Sequence, residues 1–61
     1  MQPPTVREVT GRLEAEGWEL LRVRGDHRLY GKEGKRVTVA GKKGDHLDRG
    51  TYAAIRKSVG W

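Results

Sequence analysis

The feature that most constrains this chain is the spacing of its apolar residues, which changes from helical to strand-like and back within 61 residues. Val6, Val9 and Leu13 recur at i, i+3 and i+7, which predicts a helix with one apolar face. Thr5 and Glu8 have the spacing of a capping box, so the helix should begin at about Val6. A short helix of this kind is stabilised mainly by packing its apolar face against other elements.

Three segments with a period of two follow the first helix, and tight glycine-containing turns separate them: residues 18–24, 27–32 and 35–40. The short turns predict consecutive antiparallel strands. In the resulting register Tyr30 lies opposite Val37, and Arg28 lies opposite Val39. The alternation places these four side chains on one face of the sheet.

The last apolar stripe is helical again. Tyr52, Ile55 and Val59 repeat at i, i+3 and i+7, and Asp48 is placed to cap the helix near Thr51. The element order is therefore α-β-β-β-α. A three-stranded antiparallel sheet with both helices on one face is the simplest α+β arrangement that buries both helical stripes. We expect a single domain over residues 1–61.

This arrangement leaves the second face of the sheet open to solvent. The strand alternation gathers polar and cationic side chains on it: Arg22, Arg24, His27, Arg36 and Thr38. The same count assigns Leu21 and Val23 to the helix side, and it puts Trp18 and Leu20 on the parity of the open face. As a large aromatic residue, Trp18 is nevertheless expected in the core rather than as a platform for stacking bases.

Charge is unevenly distributed along the chain. The formal net charge is 13 − 8 = +5, made up of −2 over residues 1–20 and +7 over residues 21–61. Lys42 and Lys43 add to the excess in a loop without periodicity, residues 41–45, which we call the basic loop. Such a field favours a polyanion, with nucleic acid first and an acidic protein second.

Size and composition exclude several classes of function. A chain this short does not fit a multidomain enzyme, and its thin core favours a shallow active site over a deep enclosed pocket. The absence of Cys removes disulfides, thiolate metal sites and cysteine nucleophiles. No apolar run approaches the length of a membrane span, and the N-terminus lacks the layout of a signal peptide. We expect a soluble, cytoplasmic protein without a cofactor.

His27 is the first candidate for chemistry. An imidazole, with an unperturbed pKa near 6.5, can both accept and give a proton near neutral pH. Metal-free RNA cleavage needs such a group together with cations around the phosphate, although a histidine at a strand start can equally be an exposed or capping residue. His46 is a loop residue, a phosphate contact or a second proton-transfer group. The two histidines have no metal-ligand spacing, so no metal site is predicted.

The chain resembles the HicA family of toxin ribonucleases over about Thr5 to Gly60. The resemblance rests on an ordered set of short motifs: Gly17-Trp18, Arg22, Gly25-Asp26-His27, Val37-Thr38-Val39, Leu47, Gly50-Thr51 and Ile55. It implies a fold like that of double-stranded-RNA-binding domains and a translation-independent mRNA interferase that acts without a metal. It also implies a HicB antitoxin, encoded beside the toxin, that covers the active surface. The family's catalytic histidine falls on His27.

Two positions depart from the family pattern. Asp26 stands where the family commonly has Ser or Thr, and Arg28 stands where a second histidine is often found. A carboxylate at Asp26 could orient the His27 ring or repel the RNA phosphate, whereas Arg28 keeps a positive charge but cannot act as a base.

Three hypotheses follow for the function. In the leading one, the protein cleaves mRNA, with His27 as general base or acid. Cationic side chains hold the RNA: Arg22, Arg24, Arg28, Arg36, Lys42 and Lys43. In the second, the same fold binds RNA without cutting it. In the third, the cationic face serves mainly to pair with an acidic protein. The sequence leaves the oligomeric state and the cleavage preference open.

Overall fold

A computed structural model describes residues 2–61 and has the predicted α+β architecture. The elements in chain order are α1 (Val6–Ala15), β1 (Glu19–Arg24), β2 (His27–Lys32), β3 (Lys35–Ala40) and α2 (Arg49–Val59). The strands form one antiparallel sheet in the order β1-β2-β3. The α-β-β-β-α prediction is therefore confirmed.

The predicted caps are present at both helix starts: α1 begins at Val6, as predicted, and α2 begins at Arg49, directly after Asp48 and two residues before the predicted position. The Thr5 hydroxyl accepts a hydrogen bond from the Glu8 amide, and the Glu8 carboxylate accepts one from the Thr5 amide at 3.0 Å. The Asp48 carboxylate accepts from the Gly50 amide at 3.0 Å, and Gly60 ends α2 in the left-handed region at φ +81°. In the part of the chain that the structure describes, no helix has the length and apolar character that crossing a membrane requires.

The core lies between the helices and one face of the sheet. Its buried apolar side chains come from both helices, from β2 and β3 and from the connecting segments: Val6, Val9, Leu13, Trp18, Tyr30, Val37, Val39, Leu47 and Ile55. Tyr30 is the largest of the fully buried side chains, and its hydroxyl donates a hydrogen bond to the Glu14 carboxylate at 3.0 Å. Burial first, and then this bond to Glu14, raise the pKa of the Tyr30 phenol.

The register of β2 and β3 is the predicted one. Tyr30 pairs with Val37, and Arg28 pairs with Val39. The turn between these strands holds Glu33 at φ +51° and Gly34 at φ +81°, as a type I′ hairpin turn requires at both central positions. Because the strands flank this tight turn directly, their side-chain alternation is fixed from one end of the hairpin to the other.

The pairing of β1 with β2 contains a bulge that the sequence alternation did not predict. Leu20 pairs with Tyr30 and Arg22 pairs with Leu29, so Leu21 is an extra residue without an opposing partner. Side chains that follow the bulge keep the predicted faces, whereas those before it change face. A bulge has this effect because it shifts the period-two count by one residue.

Because of the bulge, two of the predicted orientations are wrong. Leu21 was expected on the helix side but lies on the open face across Gly31, where an added Cβ would be 2.6 Å from the Leu21 Cδ1 atom. Leu20 was expected on the open-face parity but shares the helix side with Tyr30. Trp18, which has that same parity, is buried in the core with 6% of its surface exposed, as expected for this residue. Val23 lies on the helix side, as predicted.

Candidate nucleic-acid interface

The second face of the sheet carries no helix and presents polar side chains to solvent. Glu19 and Leu21 are exposed on it, and so are all of the predicted residues: Arg22, Arg24, His27, Arg36 and Thr38. The helices cover only the opposite face, because Tyr30, Val37 and Val39 all point there and are buried. The open face is therefore a shallow surface that a long, extended ligand can follow.

His27 lies at one end of this face, at the first position of β2. Its neighbours across the sheet are Arg24 on β1 and Ala40 on β3. Side chains paired in this way have Cβ atoms about 4.5–5.5 Å apart, so the Arg24 guanidinium can reach a group bound at the imidazole. Arg22 and Thr38 occupy the next positions along the same face. The small Ala40 side chain leaves the imidazole accessible from the β3 side.

Arg36 occupies the other end of the open face. It pairs with Gly31, which is four residues from His27 along β2. At about 3.3 Å per residue this separation is roughly 13 Å. Arg36 and His27 are therefore too far apart to contact the same group of a ligand.

The basic loop is attached to the His27 end of the sheet. The Gly41 amide donates to the Asp26 carbonyl at 3.0 Å, which joins the loop to the turn that precedes His27. The Lys43 carbonyl accepts from the Arg7 amide at 3.0 Å, which joins the loop to the first turn of α1. Lys42 and Lys43 are exposed, so they extend the positive charge of the face beyond the strand ends.

Arg28 lies apart from the other predicted RNA contacts. It pairs with Val23 and Val39, so its side chain is on the helix side of the sheet and is half-buried. Its Nη1 atom donates to the Gly41 carbonyl at 3.2 Å. Arg28 therefore holds the start of the basic loop from behind the sheet.

His46 is not part of the open face. Its Nδ1 atom is 2.7 Å from the Pro3 carbonyl, and its backbone forms an isolated bridge with Thr5. The ring thus ties the segment before α2 to the segment before α1. Over residues 2–61, no group of three or more His, Asp or Glu side chains lies together as a metal site would need.

A groove at the Arg36 end of the open face was not predicted from the sequence. The groove has a volume of about 510 Å³, and among its lining residues are Leu21, Gly31, Lys35 and Arg36. Its apolar part exists because the bulge turns Leu21 onto this face. A glycine inside a strand often marks a bulge or a close approach of a neighbouring group, so Gly31 was the available signal.

Comparison with known proteins identifies one family whose model matches the chain. The family model described as the HicA toxin of bacterial toxin-antitoxin systems matches residues 6–61. The match spans both helices, all three strands and the basic loop. No curated protein matches the chain.

Proposed function

The chain belongs to the HicA toxin family of bacterial toxin-antitoxin systems, and we propose that it is the toxin of a type II pair that cleaves mRNA without a metal. The observation that carries this proposal is the pairing of His27 with Arg24 on an exposed sheet face. It brings a proton-transfer group and a fixed cation to one place on a surface shaped for an extended polyanion. Family membership supplies the toxin-antitoxin context.

The reaction that fits this site is attack of a ribose 2′-hydroxyl on the adjacent phosphate. The 2′-oxygen forms a bond to phosphorus, the bond to the 5′-oxygen breaks, and the products are a 2′,3′-cyclic phosphate and a free 5′-hydroxyl. His27 serves one of the two proton transfers, as base to the 2′-hydroxyl or as acid to the 5′-oxygen. Since the face holds one histidine, water serves the other transfer. The Arg24 guanidinium stabilises the charge that develops on the phosphate oxygens.

RNA binding is assigned to the cations of the open face and of the basic loop. Arg22 and Arg24 lie on the His27 side, Arg36 binds the strand farther along the face, and Lys42 and Lys43 continue the path past the end of the sheet. Contacts of this kind go to the phosphates and carry little sequence information. The activity belongs to the cytoplasm, where mRNA is found, and it is held in check by a HicB-type antitoxin.

The test compares the two histidines in matched variants. We expect the purified chain to cleave RNA in EDTA and to leave intact a substrate with deoxyribose at the cleaved position. His27→Asn should lower the cleavage rate by about 10²- to 10⁴-fold, the usual contribution of general acid–base catalysis. His46→Asn is the control, because its amide can keep the bond to the Pro3 carbonyl. It should cleave at the wild-type rate.

A second candidate function is RNA binding without cleavage, which the presence of a single histidine on the open face favours. It predicts that RNA stays intact in long incubations while binding remains sensitive to salt and is unaffected by His27→Asn. That result would replace the nuclease proposal. Equal cleavage by a folded His27→Asn protein would remove His27 from the mechanism.

A further inference from the structure

The exposed large apolar side chains of residues 2–61 all belong to β1. They are Leu20, Leu21 and Val23, with 44%, 46% and 55% of their surface exposed. Every residue of β1 is exposed, whereas Val37 and Val39 of β3 are buried. Leu20 and Val23 share the helix side, where they form one apolar patch, whereas Leu21 lies on the open face.

The patch exists because the helices leave the side chains of Leu20 and Val23 uncovered on the helix side of β1. Leu20 is directly opposite Tyr30 and shares its face of the sheet, yet Tyr30 is 1% exposed. Val23 is opposite Arg28, on the same side. Burial on the helix side is thus nearly complete at β3 and at Tyr30 of β2, and it is lost one strand farther on, at β1.

β1 is also an edge of the sheet. In the described part of the chain its only strand neighbour is β2, so the outer edge of β1 offers main-chain groups that no other strand pairs with. Proteins normally protect such edges, and an exposed edge with apolar side chains is a template for a further strand. The bulge at Leu21 interrupts this edge, but on either side of it the strand is regular.

The two flanks of β1 differ in chemistry. Leu20 and Val23 lie on the helix side. Arg22 and Arg24 lie on the open face, after Glu19 and the bulged Leu21. A strand that pairs with β1 would therefore be complementary if its side chains alternate between apolar groups on one flank and Asp or Glu on the other. This pattern identifies the partner as a protein segment, because nucleic acid has no apolar, hydrogen-bonding edge of that kind.

We infer that β1 is the docking site for an extended segment of the antitoxin, which adds to the sheet as a fourth strand with alternating apolar and acidic residues. The inference rests on the toxin-antitoxin part of the proposed function and is independent of RNA cleavage. The acidic side chains would pair with Arg22 and Arg24, so the same strand would remove two phosphate contacts beside His27. Inhibition by this route needs no direct contact with the imidazole.

A second copy of this chain fits the edge poorly. Two β1 strands paired with each other would bring Arg22 and Arg24 of both copies onto one face, and like charges at neighbouring cross-strand positions are destabilising. Each copy also carries a net charge of +5, which opposes self-association. An acidic partner gains from the same charges.

The experiment measures amide hydrogen exchange in the toxin alone and in its complex with the protein encoded beside it. We expect new protection at residues 19–24 in the complex and little change at the other edge, residues 35–40. A double variant, Leu20→Gln with Val23→Thr, should weaken the complex by about tenfold or more, because both side chains lose apolar contact with the partner strand. Both changes are at exposed positions and retain strand-compatible residues.

The control variant is Ala53→Gln on the exposed surface of α2, which should bind the partner as tightly as the wild type. Protection confined to β3 or to the helices would overturn the inference. So would protection of residues 19–24 in the toxin alone at rising concentration, which would assign the edge to a second copy. RNA cleavage by the free double variant is measured in parallel and should be unchanged, so failure of the nuclease proposal is recognised separately.

Discussion

At the residue scale, Arg22 and Arg28 carry the same charge on opposite faces of the sheet. Arg22 is exposed beside Arg24 and His27, whereas Arg28 is half-buried and donates to the Gly41 carbonyl. For RNA binding, the logarithm of the association constant falls linearly with the logarithm of the salt concentration. We expect Arg22→Ala to make this slope less steep by about 0.7, the value for one lost phosphate contact on a single strand. Arg28→Ala should leave this slope unchanged, because its side chain lies on the helix side of the sheet and not on the open face.

The effect of losing Arg28 is expected in the basic loop, because the Arg28 side chain is bonded to the Gly41 carbonyl at its start. In Arg28→Ala the amides of residues 42–44 should exchange faster, since the Gly41 carbonyl loses its side-chain donor, while Arg22→Ala should not affect them. Salt titrations and amide exchange on both variants give the comparison. Equal decreases in salt slope would instead assign Arg28 to the RNA contacts, as the charge pattern alone predicted.

At the element scale, the β2–β3 turn contains a strained residue. Glu33 has φ +51°, a left-handed conformation that Asn adopts with much less strain than Glu does. We expect Glu33→Asn to raise the free energy of unfolding by about 0.5–1 kcal/mol, because Asn-Gly is the preferred pair in this turn. Urea unfolding measures the change. Glu19→Asn is the control, because Glu19 has the same side chain in an extended strand and should gain nothing.

Features of the elements that depend on residues close together in the chain were predicted from the sequence, whereas those that depend on distant residues were not. The capping residues, the two apolar helical stripes and the tight turns predicted both helices and the β2–β3 register, since each depends on residues close together in the chain. The period-two alternation predicted the wrong faces for Leu20 and Leu21. A bulge depends on which residues of β2 lie opposite it, and the sequence of β1 alone does not show this. Arg28 was predicted on its observed face, but its bond to Gly41 requires the position of the basic loop. Charge alone could not separate it from Arg22.

At the scale of the whole molecule, the C-terminal residue fixes α2 to α1. The Trp61 indole donates to the Glu16 carboxylate at 2.7 Å, and the Arg12 guanidinium lies 3.9 Å from the centre of the Trp61 ring. Arg12 also forms an ion pair with Glu16 at 3.0 Å. Trp61 and Glu16 are 45 residues apart in sequence, so no local pattern predicted this contact. It makes the packing of the two helices sensitive to the charge of one carboxylate.

The direction of this pH dependence follows from the lowered pKa of Glu16. The hydrogen bond from Trp61 and then that from Arg12 hold the pKa of Glu16 below its ordinary value of 4.5. Because the folded pKa is the lower one, the unfolded chain takes up a proton first as the pH falls. The contribution of Glu16 is therefore fully present above about pH 4.5 and is lost progressively below it. The bonds within the capping box lower the pKa of Glu8 in the same direction.

We therefore expect the free energy of unfolding to fall between pH 6 and pH 3, and to fall less steeply in Trp61→Phe. Phenylalanine keeps an aromatic ring beside Arg12 but has no indole donor for Glu16, so the variant loses the main cause of the lowered pKa. Urea unfolding at several pH values measures the pH dependence of stability in both proteins. Thr5→Ala removes the hydroxyl partner of Glu8, so it should independently make the loss of stability with falling pH less steep. If wild type and Trp61→Phe lose stability in parallel, the Trp61–Glu16 bond does not set the acid stability of the fold.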